Sequence, residues 1–99
     1  MKFEKRRKPK ISLEQARALL KDHIAKLDLR GWRCEIFSGG RDVIEPDHWS
    51  FGVDYFSPEG SLVDGPGVFF VHGRTGEVIT FDEYFEAHMK GLSWPLKAP

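Results

Sequence analysis

A second cysteine, a long apolar run and a phosphate-binding glycine loop are all missing from this chain, and each absence removes a class of protein. Cys34 is the single cysteine, so no internal disulfide can form and folding does not depend on oxidation. No apolar stretch nears the roughly 20 residues that cross a bilayer as a helix. The basic start, residues 1–10, runs into an amphipathic segment instead of the apolar stretch of a secretory leader. A cytoplasmic protein without membrane contact is therefore expected. Gly39-Gly40 and Gly65-Pro66-Gly67 are not followed by Lys-Ser or Lys-Thr, and they read as turns. His23, His48, His72 and His88 are scattered, with no two one helical turn apart. Asp47 and His48, if adjacent at the start of a strand, would point to opposite sides. Cys34 lacks a basic setting that would lower its pKa, so it reads as a small buried hydrophobe. No nucleophile–base pair, metal centre or cofactor site is expected, which points away from an enzyme.

What is present is a foldable chain with divided charge. Ninety-nine residues suit one domain, and 40% hydrophobic content with 13% aromatics supports a core despite 30% charged residues. Net charge is zero, yet residues 1–33 carry 11 Lys and Arg against 4 Asp and Glu, while residues 34–99 carry 4 against 11. Lys2, Lys5, Arg6, Arg7, Lys8 and Lys10 could form a nucleic-acid arm. They have a single aromatic among them, Phe3, too few for a stacking platform, and the acidic remainder repels phosphate, so a solvated tail is preferred. The acidic part suits a basic protein partner instead.

Hydrophobic periodicity gives a helix first, then a sheet. Ser12 and Gln15 form a capping-box pattern ahead of Leu13, Ala16, Leu20, Ile24 and Leu27, which share one helical face. A helix is expected over 12–29, with Gly31 as its stop. Trp32 to Phe37 reads as a strand, residues 38–42 as a loop, and Glu45-Pro46-Asp47 as a second breaker. Trp49, Phe51, Val53 and Tyr55 alternate with Ser50, Gly52 and Asp54, a strand with one buried face. Residues 68–71 and 78–81 read as two apolar strands joined by Gly73-Arg74-Thr75-Gly76, with Gly76 taking the left-handed conformation. Asp82 is expected to cap a short helix over 82–90 that turns Phe85, Met89 and Leu92 inward. The fold class expected is α+β: one long N-terminal helix packed on an antiparallel sheet of about four strands, with a short C-terminal helix. The domain is expected over 12–92, between a basic tail at 1–11 and an extended tail at 93–99.

The order of these elements carries a resemblance. Ala16-Arg17-Ala18-Leu19-Leu20, Trp49-Ser50-Phe51, Gly65-Pro66, the apolar strand 68–71, Thr75-Gly76-Glu77-Val78 and Tyr84 follow one another. In this the chain resembles the immunity protein 35 family, found beside bacterial polymorphic toxins. It departs from that family's pattern at Gly67 and in the longer, more acidic loop 39–47. The resemblance implies a non-catalytic protein that neutralises a cognate toxin by occluding its active site. Contacts are expected from the acidic loops, at Asp42, Glu45, Asp47, Glu59 and Asp64, with neighbouring aromatics as anchors. The alternative from another class is a small accessory module that binds nucleic acid through its basic N-terminal tail.

Overall fold

The structure is a computed structural model that describes residues 8–63, 67–92 and Trp94. The expected entry loop at Asp64-Gly65-Pro66, most of the basic tail and most of the C-terminal tail lie outside the described residues. Helix α1 (Leu13–Ala25) begins where its cap dictates. The Ser12 Oγ accepts the Gln15 N–H at 3.0 Å, and the Gln15 side chain accepts the Ser12 N–H at 2.7 Å. The helix ends at Ala25, short of residue 29, where the Lys26 and Leu27 amides donate to carbonyls three residues back, those of His23 and Ile24, both at 3.1 Å. Asp28 Oδ1 accepts the Arg30 N–H at 3.2 Å, a side-chain bond that competes with the helical one. Arg30 and Gly31 then take positive φ, 53° and 91°.

Four strands follow, β1 (Arg33–Arg41), β2 (Trp49–Phe56), β3 (Gly67–Val71) and β4 (Val78–Thr80), and then helix α2 (Phe81–Met89). The strands form one antiparallel sheet in the order β1-β2-β3-β4, so the α+β architecture is the one expected. Strand β1 runs further than the sequence suggested. After a register shift between Ile36 and Ser38 it continues through Gly39 and Gly40, which pair with Phe51 and Ser50. A Cβ on Gly39 would stand 2.6 Å from the Phe51 ring, so this glycine makes room for an aromatic and does not break the strand. Gly76 has φ +77°, as the hairpin turn requires, and its N–H donates to the His72 carbonyl at 3.0 Å.

The sheet separates two cores. On one face, Ala16 and Leu20 of α1 meet Phe51, Val53, Phe69 and Val71, all buried, with Cys34, Ile36 and Trp49 packed alongside. On the other, Phe70 and Ile79 meet Tyr84 of α2, with Val68 and Trp94 at the edge. Two expectations about α2 are corrected here. Its cap is Thr80, whose hydroxyl accepts the Glu83 N–H at 3.3 Å while Glu83 accepts the Thr80 N–H at 2.9 Å. Its inward residues are Tyr84 and Ala87, whereas Phe85 and Met89 face out. Residues just before α1 are stitched to the far hairpin: the Lys10 and Ile11 amides both donate to the Gly73 carbonyl, at 2.8 and 3.1 Å. The Trp49 indole donates to the Ile11 carbonyl at 3.1 Å. No helix among the described residues is long and apolar enough to cross a membrane.

Candidate functional site

The connection from β1 to β2 folds onto itself and carries its charged groups inward. The Asp42 N–H donates to the His48 carbonyl at 3.0 Å, and the His48 N–H donates to the Glu45 carbonyl at 2.9 Å. Asp42 Oδ2 accepts the Glu45 N–H at 2.9 Å, and the Arg41 guanidinium donates to the Pro46 carbonyl at 2.8 Å. Asp42, Asp47 and His48 are left 7%, 2% and 3% exposed. Ionisable groups at that depth need compensation from close polar neighbours, and α2 and the β3–β4 hairpin supply it.

From α2, the Tyr84 hydroxyl donates to Asp42 Oδ2 in a short hydrogen bond, and the Tyr84 ring stacks on Phe70 at 3.8 Å. Burial first, and the bond to Asp42 second, push the Tyr84 phenol far above its ordinary range. One turn on, His88 Nδ1 donates to the Tyr84 carbonyl at 3.2 Å, leaving Nε2 3.6 Å from Glu45 Oε2. From the hairpin, the Gly73 N–H donates to His48 Nδ1 at 3.2 Å. That bond fixes His48 as the tautomer protonated on Nε2. Asp47 Oδ1 lies 3.5 Å from the same Nδ1. Because this nitrogen already accepts a proton, the contact is not a charge-assisted bond in the neutral ring. Asp47 Oδ2 lies 3.5 Å from the Arg74 guanidinium.

Aromatic rings close the cluster. His48 sits 4.3 Å from His72 and 4.8 Å from Trp94, and His72 sits 4.9 Å from Trp94. The Trp94 indole donates to Glu77 at 3.1 Å. His72 Nδ1 accepts the Arg74 and Thr75 amides at 3.1 and 3.3 Å. Burial, and then the adjacent His48, hold His72 below the ordinary imidazole range.

The five carboxylates expected to contact a partner are therefore not one surface. Asp42 and Asp47 are buried and serve the loop's own hydrogen bonds and ion pairs, which corrects their reading as exposed contacts. Glu45 is half-buried beside His88. Glu59 is exposed in the turn after β2, at the opposite end of that strand from Asp42 and Asp47. Asp64 lies outside the described residues. Asp47 and His48 come together because both precede β2, so strand alternation does not separate them. Glu45, Asp47 and His48 bring one possible ligand atom each to within 4.8 Å of one another, a convergence that spacing along the sequence did not reveal. The one available signal was Tyr84 and His88, four residues apart on one helix face. Cys34 packs beside the first core but is half-buried instead of fully buried as expected, and burial still pushes its thiol upward.

A second feature lies on the outside of α2. Phe81, Phe85 and Met89, spaced four residues apart, are 48%, 52% and 71% exposed. The Phe81 and Phe85 rings stack at 6.0 Å. Asp82 and Glu86 are exposed along one side of them. The loop that Tyr84 and His88 hold against α2 adds Val43 and Ile44, both well exposed. Comparison of the chain with protein-family models, with curated proteins and with solved structures finds no match in any of the three.

Proposed function

We propose that this protein is a non-catalytic immunity protein that binds a cognate bacterial toxin and occludes its active site. The observation that carries this reading is the apolar stripe Phe81, Phe85 and Met89 on α2, flanked along one side by Asp82 and Glu86. A line of large exposed apolar side chains with charged ones along its edge is the composition of a protein interface, with apolar anchors and polar margins. The acidic rim selects a basic partner surface and speeds encounter with it. The resemblance of the sequence to immunity proteins of polymorphic toxins agrees with such a partner. In this reading Asp42 and Asp47 shape the loop from within, while the α2 carboxylates do the steering.

The test is titration against the product of the adjacent toxin gene. Full protection is expected at one equivalent. Phe85→Asp and Met89→Asp should each abolish protection while the thermal transition is retained. Reversing Asp82 and Glu86 together to lysine should slow association, most of all at low salt, where steering is least screened. Protection at far below one equivalent would mean that the toxin is inactivated catalytically, and the binding reading would be abandoned.

A further inference from the structure

We propose that Glu45, Asp47, His48 and His88 form a binding site for a first-row divalent metal ion, with zinc the best fit. The inference is independent of the toxin reading and rests on three features of the cluster. The first is spacing. The ligand atoms of Glu45, Asp47 and His48 all lie within 4.8 Å of one another, with Asp47 Oδ1 and His48 Nδ1 3.5 Å apart. His88 Nε2 extends the set, 3.6 Å from Glu45 Oε2. Two ligands at the usual zinc distances around a tetrahedral ion stand roughly 3.3 Å apart, so the Asp47–His48 and Glu45–His88 pairs already stand near that spacing, and the wider gap between the two pairs closes on the ion.

The second feature is the orientation of His88. Its Nδ1 proton is committed to the Tyr84 carbonyl, which turns the other nitrogen toward Glu45. That Nε2 atom is buried and has no hydrogen-bond partner among the described residues. A metal-binding imidazole is held in this manner, with one nitrogen donating to a backbone carbonyl and the other presenting its lone pair. A metal ion between that lone pair and the Glu45 carboxylate would satisfy both.

The third is chemistry and support. Two carboxylates with two imidazoles suit zinc, cobalt or manganese better than calcium or magnesium, which prefer oxygen alone. The ligands are also held from behind. Tyr84 fixes Asp42, Asp42 fixes the Glu45 amide, and the hairpin packs so tightly on the loop that a Cβ on Gly73 would stand 1.6 Å from the Asp47 carbonyl oxygen. Metal at His48 Nδ1 displaces one bond, the donation from Gly73 at 3.2 Å, and that competition gives a local readout.

The full chain, stripped with a chelator, is titrated with zinc chloride by calorimetry while the Gly73 amide is followed by NMR. One equivalent should bind, the Gly73 amide should shift in step with binding, and the melting temperature should rise and fall back on chelation. Glu45→Gln and His88→Gln, at partly exposed positions that leave the buried pair intact, should each weaken binding at least about tenfold. Three results would overturn the proposal: no zinc binding, binding that leaves Gly73 unmoved, or affinity unchanged in both variants. The first would leave His88 and Glu45 as a contact within the loop's own packing and no more.

Discussion

Cys34 lies opposite Tyr55 in the sheet, and their shared environment makes its thiol a weak acid. Burial is the main cause, partly offset by the hydrogen bond from Tyr55 and reinforced by the charges of Asp54 and Glu35. Below the ordinary thiol value of 9.0, both folded and unfolded chains keep the proton, and the stability is fully present. As pH rises through 9, the unfolded chain ionises first, so stability falls until the native thiol ionises too. The expected outcome is a denaturation midpoint that declines above about pH 9 and declines less steeply in Cys34→Ala. Urea titrations of the two proteins between neutral pH and pH 10 measure the difference. An equally steep decline in the variant would assign the effect to other groups. The roles at this position and at Gly76 were partly legible in the sequence, since a lone cysteine alternating with Trp32 and Ile36 and a turn glycine each have few roles. Asp42 and Asp47 could not. A carboxylate in an acidic loop reads as solvated, and only the loop's own amides and Tyr84, 42 residues away, draw Asp42 inside.

Helix α2 shows how an element can be recognised while its orientation is not. Its existence follows from the residues around 82–90, but two apolar stripes compete on its surface, Tyr84 with Ala87 and Phe85 with Met89. The first is buried because Tyr84 has both a ring to stack on, Phe70, and a buried acceptor to satisfy, Asp42. Neither is visible from within the helix. The cap is a related case. Asp82 and Thr80 both suit an N-terminus, and the reciprocal bonds with Glu83 select Thr80. Thr80→Ala should therefore cost about 1 kcal/mol, whereas Asp82→Ala should cost about 0.3–0.5 kcal/mol through the helix dipole alone. Chemical denaturation of the two variants compares them, and an equal or reversed order would move the cap. By contrast α1 and β2 were legible in advance, because Ser12 with Gln15 and the alternation from Trp49 to Tyr55 each admit one arrangement. Strand β1 was read short because Gly39 makes room for Phe51 on the neighbouring strand, a reason its own segment does not show.

At the scale of the whole molecule, what holds the fold and what is offered outward are separate sets of large apolar side chains. Phe51 is 1% exposed at the centre of the first core and Phe85 is 52% exposed on α2. Phe51→Ala should cost about 3–5 kcal/mol, while Phe85→Ala should change stability by no more than about 0.5 kcal/mol. Thermal and urea unfolding of both variants checks this, and a large loss at Phe85 would place it in the core. The segregation of basic residues before position 34 and acidic ones after it was readable from composition. The meeting of loop 42–48, hairpin and α2 was not, because it depends on contacts between distant parts of the chain. The strand order has a consequence for how the molecule assembles. Every strand pairs with its successor along the chain, so the sheet can zip up by closing one short loop at a time, each at small entropic cost. The conspicuous exception is the join of Lys10 and Ile11 to Gly73. It spans most of the chain and cannot form before the β3–β4 turn exists, so the lead-in to α1 is tied to the hairpin only after the sheet it crosses has closed.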